Sequence, residues 1–373
     1  MVITFVSNYI NHHQAPFSDR MYELCGHDYY FIQTEPMEEE RVRLGWNTEY
    51  INRPYVKLWY KERERCEKLI MDSDCVIFGG CEDTDIVMPR LEAGKLTLVY
   101  SERIYKEGRW KFISPRGLKK KYHDHVRFNK YPVFLLCSGA YVKGDFDLIG
   151  AYRGKKFKFG YFPVTETYED PDALRRDNKR VEILWVARFI PLKHPEMMIK
   201  LAEDLDKLGK DFHITMTGDG EMREEIMRQA ETKGLSDRFT FTGNIPSDEV
   251  RERMLAADIF VFTSNRLEGW GAVVNEAMNS GCLTVAPRAV GAVPYLIKDG
   301  VNGLIFKTGN SADLTKKVLK GFDPEFRGKL GREAYKTITT LWNANTAAER
   351  VYEFAASGGA KRPDYPEGPM SEA

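Results

Sequence analysis

Two carboxylates separated by seven residues, Glu268 and Glu276, frame the run Gly269-Trp270-Gly271-Ala272. The apolar stretch Ile259–Thr263 precedes them and a helical pattern follows to about Ser280, so the pair brackets a helix start just after a strand. Glycines at 269 and 271 allow close backbone approach to a ligand, and the N–H groups of a first helical turn attract an anion such as phosphate. Carboxylates hold phosphate poorly but accept hydrogen bonds from sugar or ribose hydroxyls. Taken alone, the two acids also fit a plainer role, one complementing the helix dipole and the other simply solvated.

Three more strand exits carry suggestive residues. Arg188 and Lys193 follow the strand Glu182–Val186, the first offering a planar fork to phosphate oxygens and the second a mobile point charge. Gly218 and Gly220 lie in Thr217-Gly-Asp-Gly-Glu221, and Asn244 and Ile245 in Gly243-Asn-Ile-Pro246. Each is unremarkable alone, since a basic pair is usually a solvated surface and glycine turns occur throughout α/β folds. Together they line one edge of one sheet.

In the first half, the loop Ser7–Pro16 leaves the first strand and contains Asn8, His12 and His13. His12 is a candidate catalytic group; a histidine pair in a polar loop is otherwise a solvated or capping feature. Asn8, His13, Glu102 and Arg103 are candidates for the acceptor side, with a surface ion pair as the alternative for the last two. Gly79-Gly80, followed by Glu82 and Asp83, is a further exit of this kind. His123-Asp124-His125 and the six scattered cysteines lack the spacing of a metal centre, so no metal is expected and the thiols read as buried and free. Arg103–Lys130 carries ten Lys or Arg against Glu107 and Asp124, interleaved with Ile104, Tyr105, Trp110, Phe112, Ile113, Leu118, Tyr122 and Phe128. That pattern suits an anionic membrane surface or a lipid-linked pyrophosphate, or else a balanced surface loop.

The elements that must position these groups alternate short apolar runs with helical segments, an α/β pattern of parallel strands and crossover helices. Expected strands are Val2–Val6, Tyr29–Gln33, Val76–Phe78, Thr97–Tyr100, Val133–Cys137, Phe157–Tyr161, Glu182–Val186, His213–Thr217, Phe239–Thr242, Ile259–Thr263, Leu283–Ala286 and Leu304–Phe306. The break falls at 163–179, giving Rossmann-like domains over 1–162 and 180–342 with a crevice between them. A helix over 343–357 returns to the first domain, and a proline-containing tail over 358–373 is expected to be disordered. The 373 residues hold 55 Lys plus Arg against 55 Asp plus Glu, which argues against a dedicated nucleic-acid binder. No apolar run is long enough to span a bilayer and the first residues read as a strand, so a cytoplasmic protein, peripheral on a membrane at most, is expected.

The order Arg188, Lys193, Thr217–Glu221, Gly243–Pro246 and Glu268-x7-Glu276, with Ala286-Pro-Arg-Ala-Val-Gly291-Ala-Val-Pro294 and Asp299-Gly-Val-Asn-Gly303, resembles the donor half of family 4 retaining nucleotide-sugar glycosyltransferases. The resemblance runs from about Val181 to Phe306 and is weak in the first half, where Ser7–Pro16 lacks the paired glycines many members carry. It implies a GT-B fold of two doubly wound domains facing across a cleft, a nucleotide-diphosphate sugar as donor, and no cofactor. Arg188 and Lys193 would then hold the diphosphate, Glu268 the sugar hydroxyls, the backbone of Gly269–Ala272 the distal phosphate, Glu276 the ribose, and the main chain near Ile245 the base. The implied reaction is front-face transfer to a hydroxyl of a glycan or lipid-linked glycan in surface polysaccharide synthesis. A phosphorylase or sugar-nucleotide epimerase of similar fold, or a non-catalytic sugar-nucleotide sensor, are the alternatives.

Overall fold

The computed structural model describes residues 1–39, 48–81, 83–108, 112–174 and 179–373. Glu82, Arg109–Lys111 and Arg175–Asn178, which figured in the sequence reading, lie outside the described residues. The chain forms two compact units, one of Met1–Val164 with Trp342–Ala373 and one of Thr165–Leu341.

The first unit is built on a parallel sheet of seven strands: β1 (Ile3–Ser7), β2 (Tyr29–Gln33), β3 (Val56–Leu58), β4 (Cys75–Gly79), β5 (Thr97–Ser101), β6 (Val133–Ser138) and β7 (Lys156–Phe159). Their spatial order is β3-β2-β1-β4-β5-β6-β7. Strands β1 and β4 are buried along their whole length, as expected of central parallel strands covered on both faces. Strand β3 escaped the sequence reading because Val-Lys-Leu is too short to show a period. The expected strand to Tyr161 ends instead at Phe159, and the Tyr161 ring leaves the sheet to stack on His13 at 5.4 Å.

The helix Ala344–Ala356 belongs to this first unit. Asn343 caps it, its side chain accepting from Thr346 N–H at 2.9 Å. Arg20 on the helix Ala15–Leu24 meets Glu349 at 2.7 Å, and Phe354 packs edge-on against Phe134 with ring centroids 4.8 Å apart. The tail is ordered, which corrects the expectation of disorder. Met370 N–H donates to Lys158 O at 2.8 Å, Lys158 N–H to Ser371 O at 2.8 Å and Ala373 N–H to Lys156 O at 3.1 Å, so the tail lies antiparallel along β7. Met370 is fully buried, and Arg350 donates to the carbonyls of Glu367 and Pro369. Prolines suggested a mobile tail; an edge strand with open backbone groups supplies partners that composition does not reveal.

The second unit has six parallel strands, β8 (Val181–Val186), β9 (Phe212–Thr217), β10 (Phe239–Gly243), β11 (Ile259–Val261), β12 (Leu283–Pro287) and β13 (Leu304–Phe306), ordered β10-β9-β8-β11-β12-β13. Its core joins Ile183, Trp185, Ile214, Val261 and Val285 of the sheet to Met198, Leu201 and Leu205 of the helix Glu196–Lys207, and to Leu314 and Val318 of the helix Ser311–Lys320. In each unit the strand order reverses beside its first strand, at β1/β4 and at β8/β11. Such a switch point splays the loops at the carboxyl ends of the strands and opens a place for a ligand.

Candidate functional site

The switch point of the second unit gathers most of the residues singled out in the sequence. The exits of β8, β9 and β10 are stitched together through their backbones: Ala187 N–H donates to Thr217 O at 3.1 Å, Phe189 N–H to Asp219 O at 2.9 Å, Met222 N–H to Phe189 O at 2.9 Å, and Gly218 N–H to Gly243 O at 2.9 Å. A Cβ on Gly218 would lie 2.1 Å from Ala187 O and one on Gly220 2.6 Å from Phe189 O, and both glycines have positive φ. The close approach these glycines permit is therefore first that of the neighbouring loop, which they hold against the strand edge. Arg188 is exposed on this braced loop, and Asn244 is exposed at the end of β10.

Lys193 lies in the short turn Pro191–Lys193 and forms an ion pair with Glu268, which arrives from the loop after β11. Their side chains are 13% and 15% exposed, so the pair is largely withdrawn from water yet reachable. Three further contacts brace the pair and its surroundings. Ser264 Oγ donates to Glu268 Oε2 at 2.6 Å, Thr263 Oγ1 donates to Lys193 O at 2.5 Å, and Trp185 Nε1 donates to Thr263 Oγ1 at 2.8 Å. His194, in the left-handed region at φ 48°, bonds Glu196 through Nδ1 and Asn265 through Nε2, each at 2.8 Å. A carboxylate only accepts, so the His194 proton sits on Nδ1 and Nε2 accepts from the Asn265 amide. Sequence reasoning missed Thr263 and Ser264; the signal was two adjacent hydroxyls closing an apolar strand at a switch point.

Beyond Glu268, the turn Gly269–Ala272 leads into the helix Val273–Asn279. Gly271 has φ +90°, and a Cβ there would meet Val290 Cγ1 at 2.8 Å. The Trp270 indole points into the core, where Nε1 donates to the buried Asn275 Oδ1 at 2.8 Å, so only its main chain can serve a ligand. Glu276 is crowded by protein atoms, and this desolvation raises its carboxyl from the ordinary value to about 7, against the opposing pull of Arg251. Arg251 in turn lies 3.4 Å from Glu166. Ile245 is half-buried at the exit of β10.

In the first unit, the carboxyl ends of β1, β4 and β5 carry a second set. Asn8 O accepts from Thr34 and Glu35 N–H, and Asn8 Oδ1 from Ser7 Oγ at 3.3 Å. A Cβ on Gly80 would lie 2.6 Å from Ser7 Oγ, so the exits of β1 and β4 touch. The His12 and His13 rings lie against each other tilted by 54°, with centroids 3.8 Å apart; burial lowers His12 to about 4 and His13 well below its ordinary value, so both are neutral at pH 7. Tyr161 donates to Glu102 Oε1 at 2.5 Å, and Lys106 pairs with Glu102 through its other oxygen. Arg103, expected to face an acceptor, instead forms a two-pronged bond with the buried Asp145, both contacts 3.1 Å, and braces the loop after β5. His125 shares a hydrogen bond with Tyr152 at 2.8 Å while His123 contacts Asp124, so these two histidines do not converge. No group of three His, Cys, Asp or Glu side chains among the described residues could hold a metal ion.

The helix Pro115–Asp124, capped by Ser114 accepting from Gly117 N–H at 3.3 Å, runs through the basic stretch. Ile113, Leu118 and Tyr122 are 75%, 37% and 60% exposed beside the exposed Arg116, Lys119 and Lys120. No helix among the described residues is long and apolar enough to cross a membrane.

Residues 167–337 match the family described as Glycosyl transferases group 1. Alpha-D-kanosaminyltransferase of Streptomyces kanamyceticus is 30% identical over 172 residues, 45% of this chain and 44% of that protein. A GDP-mannose-dependent alpha-(1-6)-phosphatidylinositol monomannoside mannosyltransferase of Mycolicibacterium smegmatis is 29% identical over 198 residues, 49% of this chain and 51% of that one. The chain thus spans about half the length of the curated relatives it matches. In fold, it is similar to Anabaena HepE in complex with UDP, with a TM-score of 0.69 at 16% identity, and to a lipopolysaccharide outer core galactosyltransferase, WaaB, with 0.68 at 14%. Both likenesses cover 96% of this chain and 100% of the other.

Proposed function

We propose, from the match of residues 167–337 to the family described as Glycosyl transferases group 1, that the protein moves a glycosyl group from a nucleotide-diphosphate sugar to an acceptor hydroxyl with retention of anomeric configuration. The observation that carries this reading is the Lys193–Glu268 ion pair at the β8/β11 switch point, with Arg188 exposed on the same β8 exit, on loops fastened by Gly218, Gly220, Thr263 and Ser264. Arg188 and Lys193 hold the diphosphate and take up the negative charge that grows on it as the glycosidic bond breaks. Cations fixed in advance act without reorganisation, and a strong donor of this kind contributes roughly 3–4 kcal/mol to the transition state. The backbone of Gly269–Ala272 receives the distal phosphate, Glu276 the ribose hydroxyls and the chain near Ile245 the base. Glu268 accepts from the hydroxyls of the sugar. The charge on the diphosphate is met by protein side chains, so we assign no metal and no cofactor to the reaction.

The acceptor belongs to the first unit, where His12, His13, Asn8 and the Glu102–Tyr161 pair line the ends of β1 and β5. Neutral His12 can accept a hydrogen bond that orients the acceptor hydroxyl, and the departing phosphate, freed on the same face of the sugar, takes the hydroxyl's one proton. The exposed apolar and basic side chains of 113–122 suit a lipid-linked glycan presented at an anionic membrane surface, on its cytoplasmic side. One relative is named for a phosphatidylinositol-linked acceptor, which agrees with that choice. The test is Glu268→Gln. Turnover is expected to fall about 10- to 100-fold, the loss of hydrogen bonds to a charged group, with nucleoside diphosphate affinity retained. Unchanged turnover overturns the assignment of Glu268.

A further inference from the structure

We propose that Ser264 is a positioning residue that fixes the Glu268 carboxylate as the receptor for the hydroxyls of the transferred sugar; the inference rests on the glycosyl-transfer reading above. Ser264 is fully buried in the exit of β11, three residues past its last strand residue, and its Oγ lies 2.6 Å from Glu268 Oε2 and 3.2 Å from Leu192 O. A hydroxyl has one proton to give, and the shorter, charge-assisted contact takes it. Lys193 binds the same oxygen. Among the described residues both polar contacts of this carboxylate fall on Oε2, which leaves Oε1 to accept from a ligand.

The second holder matters because the first has another task. Once a diphosphate is bound, the Lys193 ammonium is shared with phosphate oxygens, and a glutamate side chain tied only to that flexible stem would be released into several rotamers. Ser264 lies on the buried exit of β11 and is not carried on the Lys193 side chain. The adjacent Thr263 performs the matching service for the other partner, donating to the Lys193 carbonyl while accepting from the buried Trp185 indole. Two consecutive hydroxyls thus brace the two halves of one ion pair, one through a backbone carbonyl and one through a carboxylate.

The experiment measures, by titration calorimetry, the affinities of UDP, GDP and ADP and of UDP-glucose, UDP-N-acetylglucosamine, GDP-mannose and ADP-glucose. The readout is the gain from the sugar, the ratio of the diphosphate's Kd to that of its sugar conjugate. In Ser264→Ala this gain is expected to fall about five- to tenfold, the effect of one charged hydrogen bond, with the affinity for the bare diphosphate unchanged as an internal check on folding. Ser264→Thr, which keeps the hydroxyl, should retain the gain wherever its diphosphate affinity is normal. Adding Ser264→Ala to Glu268→Ala should cause no further loss, because the serine acts only through the glutamate. An undiminished gain in Ser264→Ala, equal loss for diphosphate and conjugate, additive losses in the double variant, or a wild type whose affinity owes nothing to the sugar each overturn the role given to Ser264. A wild type that binds none of these nucleotides overturns the glycosyl-transfer reading itself.

Discussion

At the scale of single residues, the ribose-binding role proposed for Glu276 would couple ligand recognition to pH. Its carboxyl, raised to about 7 by burial, holds a proton more firmly in the folded chain than in the unfolded one. Between the ordinary glutamate value and 7 the folded state therefore binds more protons, and stability declines as pH rises through that window. Ribose hydroxyls call for the ionised form, so nucleotide affinity should run the other way. Diphosphate affinity is expected to weaken on lowering the pH from 8 to 6, by up to about tenfold per unit below 7, and to become flat in Glu276→Gln. Calorimetry across that range checks it; a pH-independent wild type would remove Glu276 from the ribose site. Arg90 illustrates a charge of purely structural use. Buried completely, it donates to the carbonyls of Ile70, Ser73 and Leu96 and to Thr97 Oγ1, so Arg90→Ala should cost about 3 kcal/mol or more in chemical denaturation by leaving these acceptors unmet.

At the scale of elements, the helix Pro115–Asp124 presents Leu118 and Tyr122 four residues apart, hence on one face, with Arg116 and Lys119 exposed near them. Each cation near an anionic surface contributes about 1 kcal/mol, so reversing both in Arg116→Glu/Lys119→Glu should weaken sedimentation with phosphatidylglycerol vesicles at least about tenfold while leaving neutral phosphatidylcholine vesicles unaffected. Binding that ignores lipid charge would count against a membrane role for this helix. Elements were legible in proportion to their apolar length. The second unit's strands stand out because central parallel strands are apolar on both faces, whereas β3 and the helix Pro115–Asp124, the latter masked by lysines, gave no clear period. The candidate site was legible where side-chain type alone suggests a chemistry, as for Lys193 and Glu268, which the fold brings together. It was obscure where a role depends on who stands opposite, as for Ser264, Tyr161 and the Arg103–Asp145 brace.

At the scale of the whole molecule, the ordered tail protects a sheet margin. Removing residues 361–373 uncovers the backbone groups of β7 and the cavity filled by Met370. Such a truncation is expected to lower the melting temperature and to promote self-association visible by size-exclusion chromatography, whereas an unchanged monomer-to-oligomer distribution would show that the edge is harmless when bare. The first unit is assembled from two distant stretches of chain, Met1–Val164 and Trp342–Ala373, while the second is continuous. During synthesis on the ribosome, the lobe that emerges first must therefore wait, its helix Ala15–Leu24 and the rings of Phe134 and Phe157 uncovered, until Trp342–Ala373 has emerged. The lobe begun second is the first to be finished.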